Sequence, residues 1–473
     1  MTRTRAADSP PVVLTIAGSD SGGGAGIQSD LKTIEACGGF GTSAITSVTA
    51  QHTRGVESTH LLPRGEIDAQ IGAVFGDFAV DALKTGMLAT GEIVDLVTDR
   101  VAEQPVPAVV DPVMVAASGD RLLERDAEEA YEALVAESTL VTPNADEAEI
   151  LTGVEVTNAE RAREAGERLL EMGANAALVK GGHVPGEEVV DVLVTDGGVE
   201  RITHSRVETD ATHGSGCMLS SAIATRLAHG DPLAVAVRSG VDLLARAVRY
   251  GLDVGQGPGS VHHVVEVRNE AAREPTAEAV EGVVEQFADA DVSRLVPEVG
   301  MNVVGATPYA ETPEECAAVE GRITRTLSGI NPNRGVRFGA SSHVARFLLA
   351  SREFDPDLRF AVNCRYDDTI QQALDDLDGP VAEYDRAAEP EPVKAEEGST
   401  MQWGARQAFE AAGETPVAVA DPGDLGKEAI VKLLAPDAET LADRTLELLD
   451  AVEGLSQCTM NRSPTVSKTC NHD

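Results

Sequence analysis

From Val12 to Ala247 short apolar runs alternate with helical stretches, and this alternation constrains the architecture more tightly than any other feature of the chain. The runs are Val12 to Asp20, Thr42 to Val48, Ala82 to Thr85, Ala108 to Asp111, Leu140 to Thr142 and Ala177 to Val179. Strands alternating with helices build a doubly wound α/β sheet, with parallel strands and helices on both faces. Ligands of such sheets gather at the carboxyl ends of the strands. Each polar or glycine-rich motif of this half follows a strand: Ser21 to Gly26, Ala50 to Gly55, Lys84 to Leu88, Asp111 to Met114, Thr142 to Glu147 and Lys180 to His183. One shared cleft is the expectation.

The segment Ala211-Thr212-His213-Gly214-Ser215-Gly216-Cys217 opens the apolar helical run Met218 to Leu227. A Gly-x-Gly turn lets backbone N–H groups approach an anion, and the helix behind it adds its positive N-terminal end. Amides around Gly214 and Gly216 are therefore candidates to stabilise a transferring phosphoryl group. Cys217 falls in the first helical turn, where the dipole lowers a thiol pKa and supplies a thiolate base. The plain reading of the same residues is a tight turn followed by a small core cysteine.

At 473 residues the chain exceeds one core of ordinary size, so two domains are expected. The charged stretch Glu266 to Glu278 marks the boundary, near residue 275. The expected division is 12–265 for the first domain, 266–284 for a linker, 285–453 for a second α/β domain and 454–473 for a disordered tail. The formal net charge of -40, from 78 acidic against 38 basic residues, argues against nucleic acid or an anionic membrane as partner. Such a surface, poor in lysine and aromatics, suits a high-salt cytoplasm. Of seven lysines, Lys32, Lys84, Lys180 and Lys427 fall inside motifs. Six cysteines without a CxxC pair read as reduced cytosolic thiols, with no zinc-site spacing. Neither an apolar leader core nor an apolar run of membrane-spanning length occurs, which points to a cytoplasmic protein. No repeat appears at solenoid periods, so the two halves are different modules.

In their order along the chain, the motifs of residues 12 to about 265 resemble the hydroxymethylpyrimidine and phosphomethylpyrimidine kinases of thiamine biosynthesis, members of the ribokinase-like fold. The resemblance implies ATP and Mg²⁺ as cofactors and Cys217 as the base that deprotonates the substrate hydroxymethyl group. It carries Asp30, Gln51 and Met87 to the pyrimidine pocket; for Met87 ordinary core packing is the alternative. It assigns Asp111, Asn144 and Glu147 to Mg²⁺ and phosphate-bound water, although Asn144 and Glu147 also have the spacing of a capping box. Lys180 is left to neutralise nucleotide phosphates. A cysteine at the base position, with Gln51, favours pyrimidine kinases over pyridoxine or sugar kinases. Two departures stand out: Ser21 and Gly22 replace the family's common Pro-Ser in the first loop, and Ala117 stands where a lysine is frequent before Ser118-Gly119. Kinases of this kind commonly pair as homodimers.

The second half begins with a strand at Met301 to Ala306 and later offers Glu320 to Thr324 and Phe338 to Arg346. In the latter, small residues precede an amphipathic helix with His343 in its first turn, an anion site or a simple Ser N-cap. The cluster Asp421-Pro422-Gly423-Asp424-Leu425-Gly426-Lys427-Glu428 is too short for a P-loop; it is either a phosphate and magnesium site or an acidic turn. From about 285 to 453 these segments resemble the archaeal type of thiamine-phosphate synthase. That resemblance implies Arg322 and His343 as catalytic residues, Arg337, Ser341, Ser342 and Lys427 on phosphate groups, and Asp421, Asp424 and Glu428 as candidates for a metal. The implied reaction joins hydroxymethylpyrimidine diphosphate to hydroxyethylthiazole phosphate and releases diphosphate. The alternative is a domain that only binds thiamine phosphate and reports its level.

Overall fold

The computed structural model describes residues 6–114, 128–395, 399–424 and 426–460. Ala117, Leu425, Cys470 and His472, and the side chain of Cys458, lie outside the described residues. The chain divides into two compact units, Met1–Val267 and Arg268–Asp473.

In the first unit the strands are β1 (Val12–Asp20), β2 (Phe40–His52), β3 (Gly55–Leu61), β4 (Val80–Thr85), β5 (Ala108–Val110), β6 (Leu140–Val141), β7 (Ala176–Val179), β8 (Glu188–Thr195) and β9 (Gly198–Ser205). They form one nine-stranded sheet in the order β3-β2-β1-β4-β5-β6-β7-β8-β9. The six strands from β2 to β7 run parallel, as the alternation requires. Antiparallel hairpins close the two edges, β3 on β2 and β8–β9 on β7. Side chains alternate between the faces of β1: Leu14 and Ile16 join a core with Ile67, Ile71, Val94 and Tyr131, while Val13 joins another with Ile34, Leu219, Ile223 and Val237. Both faces are thus covered, the condition for a buried parallel sheet. Asp20, Met87, Asp111 and Lys180 all sit at the carboxyl edge of this sheet, at or just beyond the ends of β1, β4, β5 and β7.

The second unit holds β10 (Val303–Ala306), β11 (Cys316–Val319), β12 (Ile323–Thr326), β13 (Gly329–Pro332), β14 (Val336–Phe338), β15 (Phe360–Arg365), β16 (Val381–Glu383), β17 (Ala418–Asp421) and β18 (Ile430–Ala435). Seven of them form a sheet in the order β14-β11-β10-β15-β18-β17-β16, antiparallel except between β16 and β17; β12 and β13 pair as a separate ribbon. Helices cover both faces here too. Along β18, Val431, Leu433 and Ala435 pack toward helices Arg273–Asp289 and Ala438–Met460, while Leu434 packs toward helices His343–Ser351 and Ser399–Ala412.

Two boundaries differ from the sequence expectation. Residues 266–284 are not a linker but part of helices Val265–Ala271 and Arg273–Asp289. Their charges occupy the solvent face, and Val280, Val283, Val284 and Phe287, at helical spacing, enter the core of the second unit. The last helix also continues through Met460, so the tail is helical to that point instead of irregular from residue 454.

Candidate functional site

The first unit builds its site on helix Ser215–Ala228 and the strand ends facing it. Gly214 caps that helix with φ of 85°, and a Cβ on it would lie 1.8 Å from the carbonyl oxygen of Gly24. Only glycine permits this contact, which joins the 211–217 turn to the first glycine loop. That loop is shaped by Asp20, whose carboxylate accepts the amides of Gly22, Gly24 and Ala25 at 2.7, 3.0 and 2.8 Å and meets His213 Nε2 at 3.2 Å. Burial works against the charge of Asp20, but His213 and the amides hold its carboxyl below the usual range.

At Gly216 a Cβ would stand 3.2 Å from Lys180 Nζ and 3.5 Å from Asp111 Oδ2, so a lysine and a carboxylate lie directly against the helix start. Lys180 bonds Asp111 at 3.0 Å and lies 3.8 Å from Glu147. Burial raises the Glu147 carboxyl to about 7; Lys180 opposes this and Asp111 reinforces it. Asn144 Oδ1 accepts the Glu147 amide, and Glu147 Oε2 the Asn144 amide, both at 2.8 Å. The capping-box reading therefore describes Asn144 here, while the same capping fixes the Glu147 carboxylate beside Lys180. Behind Lys180, Asp191 accepts the Gly181 amide at 2.7 Å and anchors the loop.

Asp30 and Cys217 have surroundings that the sequence reading did not foresee. Asp30, assigned to the pyrimidine pocket, is fully buried and saturated: both its oxygens accept from Lys84 Nζ at 2.9 Å, and it takes Thr15 and Ser221 hydroxyls at 2.6 and 2.9 Å. The Cys217 thiol is raised overall, against the expected lowering: burial pushes it up to about 11, Lys84 pulling it down and Asp30 and Asp111 pushing it further up. Lys84, fully buried, keeps its charge because Asp30, Cys217 and Asp111 outweigh the cost of burial. Gln51 meets the rim of the site, its Nε2 3.5 Å from His213 Nε2. Met87 is buried, with its methyl 2.6 Å from the position of a Cβ on Gly18. Nearby, Gly22 to Gly24, Lys32, His52, Thr53, His213 and His263 line a small pocket. Burial holds the His263 imidazole down to about 4, and it bonds Ser29 at 2.7 Å.

The second unit distributes its candidates more widely. Arg322 occupies the turn after β11 with a positive φ of 65° and donates to the Val299 carbonyl. Glu428 holds the same loop from the other side, accepting the Glu298 and Val299 amides at 2.7 and 2.9 Å. Ser342 and His343 start helix His343–Ser351 and touch each other at 3.3 Å; Ser341 immediately precedes them. Arg337 is exposed, 3.6 Å from Glu320. Asp424 and Lys427 face each other through their backbones in an exposed turn. Asp421, assigned to a metal, is buried and takes Arg386 Nε and Nη2 and the Tyr384 hydroxyl, all at 2.6 Å. Among the described residues no group of three or more histidine, cysteine or carboxylate side chains stands ready for a metal ion.

Sequence reasoning noticed Lys84, Asp20 and His213 only as members of motifs and passed over Arg386 and Lys432. A lysine inside an apolar strand run, as at Lys84 and Lys432, was the available signal.

A doubly wound sheet with a helix start, a lysine and carboxylates at its carboxyl edge defines a ribokinase-like phosphotransferase. Residues 20–262 match the phosphomethylpyrimidine kinase family, and the chain belongs to that family. Residues 279–447 match the thiamine-phosphate synthase ThiN family. A hydroxymethylpyrimidine/phosphomethylpyrimidine kinase of Streptomyces coelicolor is 46% identical over 256 residues, 54% of this chain and 94% of that protein. The thiamine biosynthesis bifunctional protein ThiED of Geobacter sulfurreducens is 44% identical over 255 residues, and only 52% of its length is spanned. Pyridoxal kinase of Staphylococcus aureus, solved with ADP, superposes with a TM-score of 0.52 at 30% identity, covering 55% of this chain and 96% of that one.

Proposed function

We propose that the first unit phosphorylates 4-amino-5-hydroxymethyl-2-methylpyrimidine and then its monophosphate with ATP, and that the second unit couples the resulting diphosphate to hydroxyethylthiazole phosphate. The observation that carries the kinase reading is the position of Cys217 in the first turn of helix Ser215–Ala228, between the Lys84–Asp30 pair and the Lys180–Asp111 pair at Gly216. Cys217 takes the hydroxyl proton, the freed oxygen attacks the γ-phosphorus of ATP as the bond to the β,γ-bridging oxygen breaks and ADP leaves, and the amides after Gly214 receive the transferring charge. Lys180 is placed to move from its carboxylates to the nucleotide phosphates. Asp111 and Glu147 offer the hard oxygen donors that Mg²⁺ takes together with phosphate oxygens, and the ion would neutralise charge developing on the phosphates. A divalent cation held there would also favour the ionised form of Glu147 against its burial.

For the second unit the match to the synthase family and the presence of Arg322 and His343 support catalysis over sensing. Both substrates and the leaving diphosphate are anionic, so cationic side chains carry the chemistry. The decisive assay supplies the purified chain with hydroxymethylpyrimidine, ATP, Mg²⁺ and thiazole phosphate and detects thiamine phosphate by mass. Thiamine phosphate is expected from the wild type and from neither Cys217→Ala nor His343→Ala. Accumulation of pyrimidine diphosphate without thiamine phosphate would make the second unit a binding module.

A further inference from the structure

Inside the second unit, on the sheet face covered by helices His343–Ser351 and Ser399–Ala412, two cations are buried side by side. Lys432 on β18 is 3% exposed and Arg386 is 8% exposed. Asp421, opposite them, has no acceptor position left for Lys432: Oδ1 takes Arg386 Nε at 2.6 Å and the Gly423 amide at 3.1 Å, and Oδ2 takes Arg386 Nη2 and the Tyr384 hydroxyl at 2.6 Å each. Arg386 Nη1 is buried without a hydrogen-bond partner among the described residues. The Lys432 ammonium is met by ring faces, 4.6 Å from the Phe347 centroid and 5.8 Å from that of Tyr384. Glu389, the other buried carboxylate of the cluster, is turned to the Thr400 hydroxyl at 2.5 Å.

A buried donor without an acceptor, such as Arg386 Nη1, is expensive, and so are two adjacent buried cations that share the charge of one hydrogen-bond-saturated carboxylate. Burial, joined by the repulsion of Arg386, lowers the Lys432 amine to about 8 against the pull of Asp421. A multidentate oxyanion relieves all of these costs at once. Phe347 lies one helical turn beyond His343 on the same helix, which puts the cluster beneath the element that starts with Ser342 and His343.

We propose that Lys432 and Arg386 Nη1 form a phosphate-binding subsite of the second unit, taking a phosphate or diphosphate group of its substrates or product. The proposal deepens the synthase reading and rests on it for the identity of the ligand, but not for the binding itself. It moves the phosphate contact from the exposed Lys427 and Arg337 to a desolvated pair.

Trp403, the only tryptophan of the chain, packs edge-on to Tyr384 at 5.9 Å between ring centroids and so reports on the core that holds this cluster. The full-length chain is titrated with inorganic pyrophosphate and, separately, with orthophosphate while Trp403 emission is followed. Wild type is expected to show a saturable change, Lys432→Met to bind roughly tenfold or more weakly, and Lys432→Arg to recover most of the affinity. Kinase turnover serves as the folding control for each variant, with circular dichroism for the second unit. A tighter pyrophosphate response assigns the subsite to the diphosphate, a tighter orthophosphate response to a monophosphate group. No saturable change in wild type, or affinity unaltered in Lys432→Met, overturns the proposal. If pyrophosphate binds yet no thiamine phosphate forms in the coupled assay, the subsite stands and the synthase reading falls.

Discussion

Cys217 carries the sharpest expectation at the scale of single residues. A base acts deprotonated, and burial has pushed this thiol up to about 11, so the active form is scarce at neutral pH and grows as pH rises. The rate of pyrimidine phosphorylation under kcat/KM conditions should therefore climb by about tenfold per pH unit between roughly pH 7 and 10, a slope that a pH–rate profile measures directly. A flat profile would mean that another group takes the proton. Lys84 tunes that thiol and also neutralises Asp30. Replacing Lys84 by Met leaves a carboxylate in the core without its counter-charge, a loss of about 3–5 kcal/mol in denaturant unfolding of the first unit. The double variant with Asp30→Asn should recover a large part of that loss, because the stranded charge goes with it.

The elements of the first unit were largely legible, because period and punctuation agree along it. The strand Val12–Asp20 has the span its apolar run suggested, and helix Gly26–Ala36 starts one residue earlier than the glycine loop implied. The edge hairpins were less legible: β8 and β9 are bounded by Gly197 and Gly198 but carry polar residues on one side, which reads as loop in an otherwise apolar pattern. Site residues followed the same division. Motif order located Asp111, Lys180 and Cys217 at one sheet edge, whereas the partners of Asp30 and Asp421 come from positions 54 and 35 residues away and no local spacing announces them. The turn before helix Ser215–Ala228 offers a test of the element as a whole. Gly214→Ala adds a methyl in left-handed backbone, against the Gly24 carbonyl, and must shift the helix start or the first glycine loop. Kinase turnover should fall on the order of a hundredfold or more while synthase turnover, carried by the other unit, is unchanged.

Over the whole molecule the governing quantity is the net charge of -40. Like charges at such density oppose compaction, and salt shortens their reach from about 10 Å at 0.1 M to about 3 Å at 1 M. Calorimetry should accordingly show unfolding moving up by several degrees, about 5 °C, between 0.1 and 1 M KCl; a decrease would show that ion pairs outweigh the repulsion. No described helix is long and apolar enough to cross a membrane. Lysine has a different distribution from the carboxylates. Of the five described lysine side chains, Lys84, Lys180 and Lys432 are withdrawn into the interior at 0%, 14% and 3% exposure, leaving Lys32 and Lys427 at the surface. Acylating reagents, which decorate most proteins indiscriminately, would thus find two exposed handles among the described lysines, Lys32 and Lys427, and would reach Lys180 and Lys432, the two proposed to meet phosphate groups, only slowly. Protection from acylation becomes, for this chain, a footprint of its bound substrates.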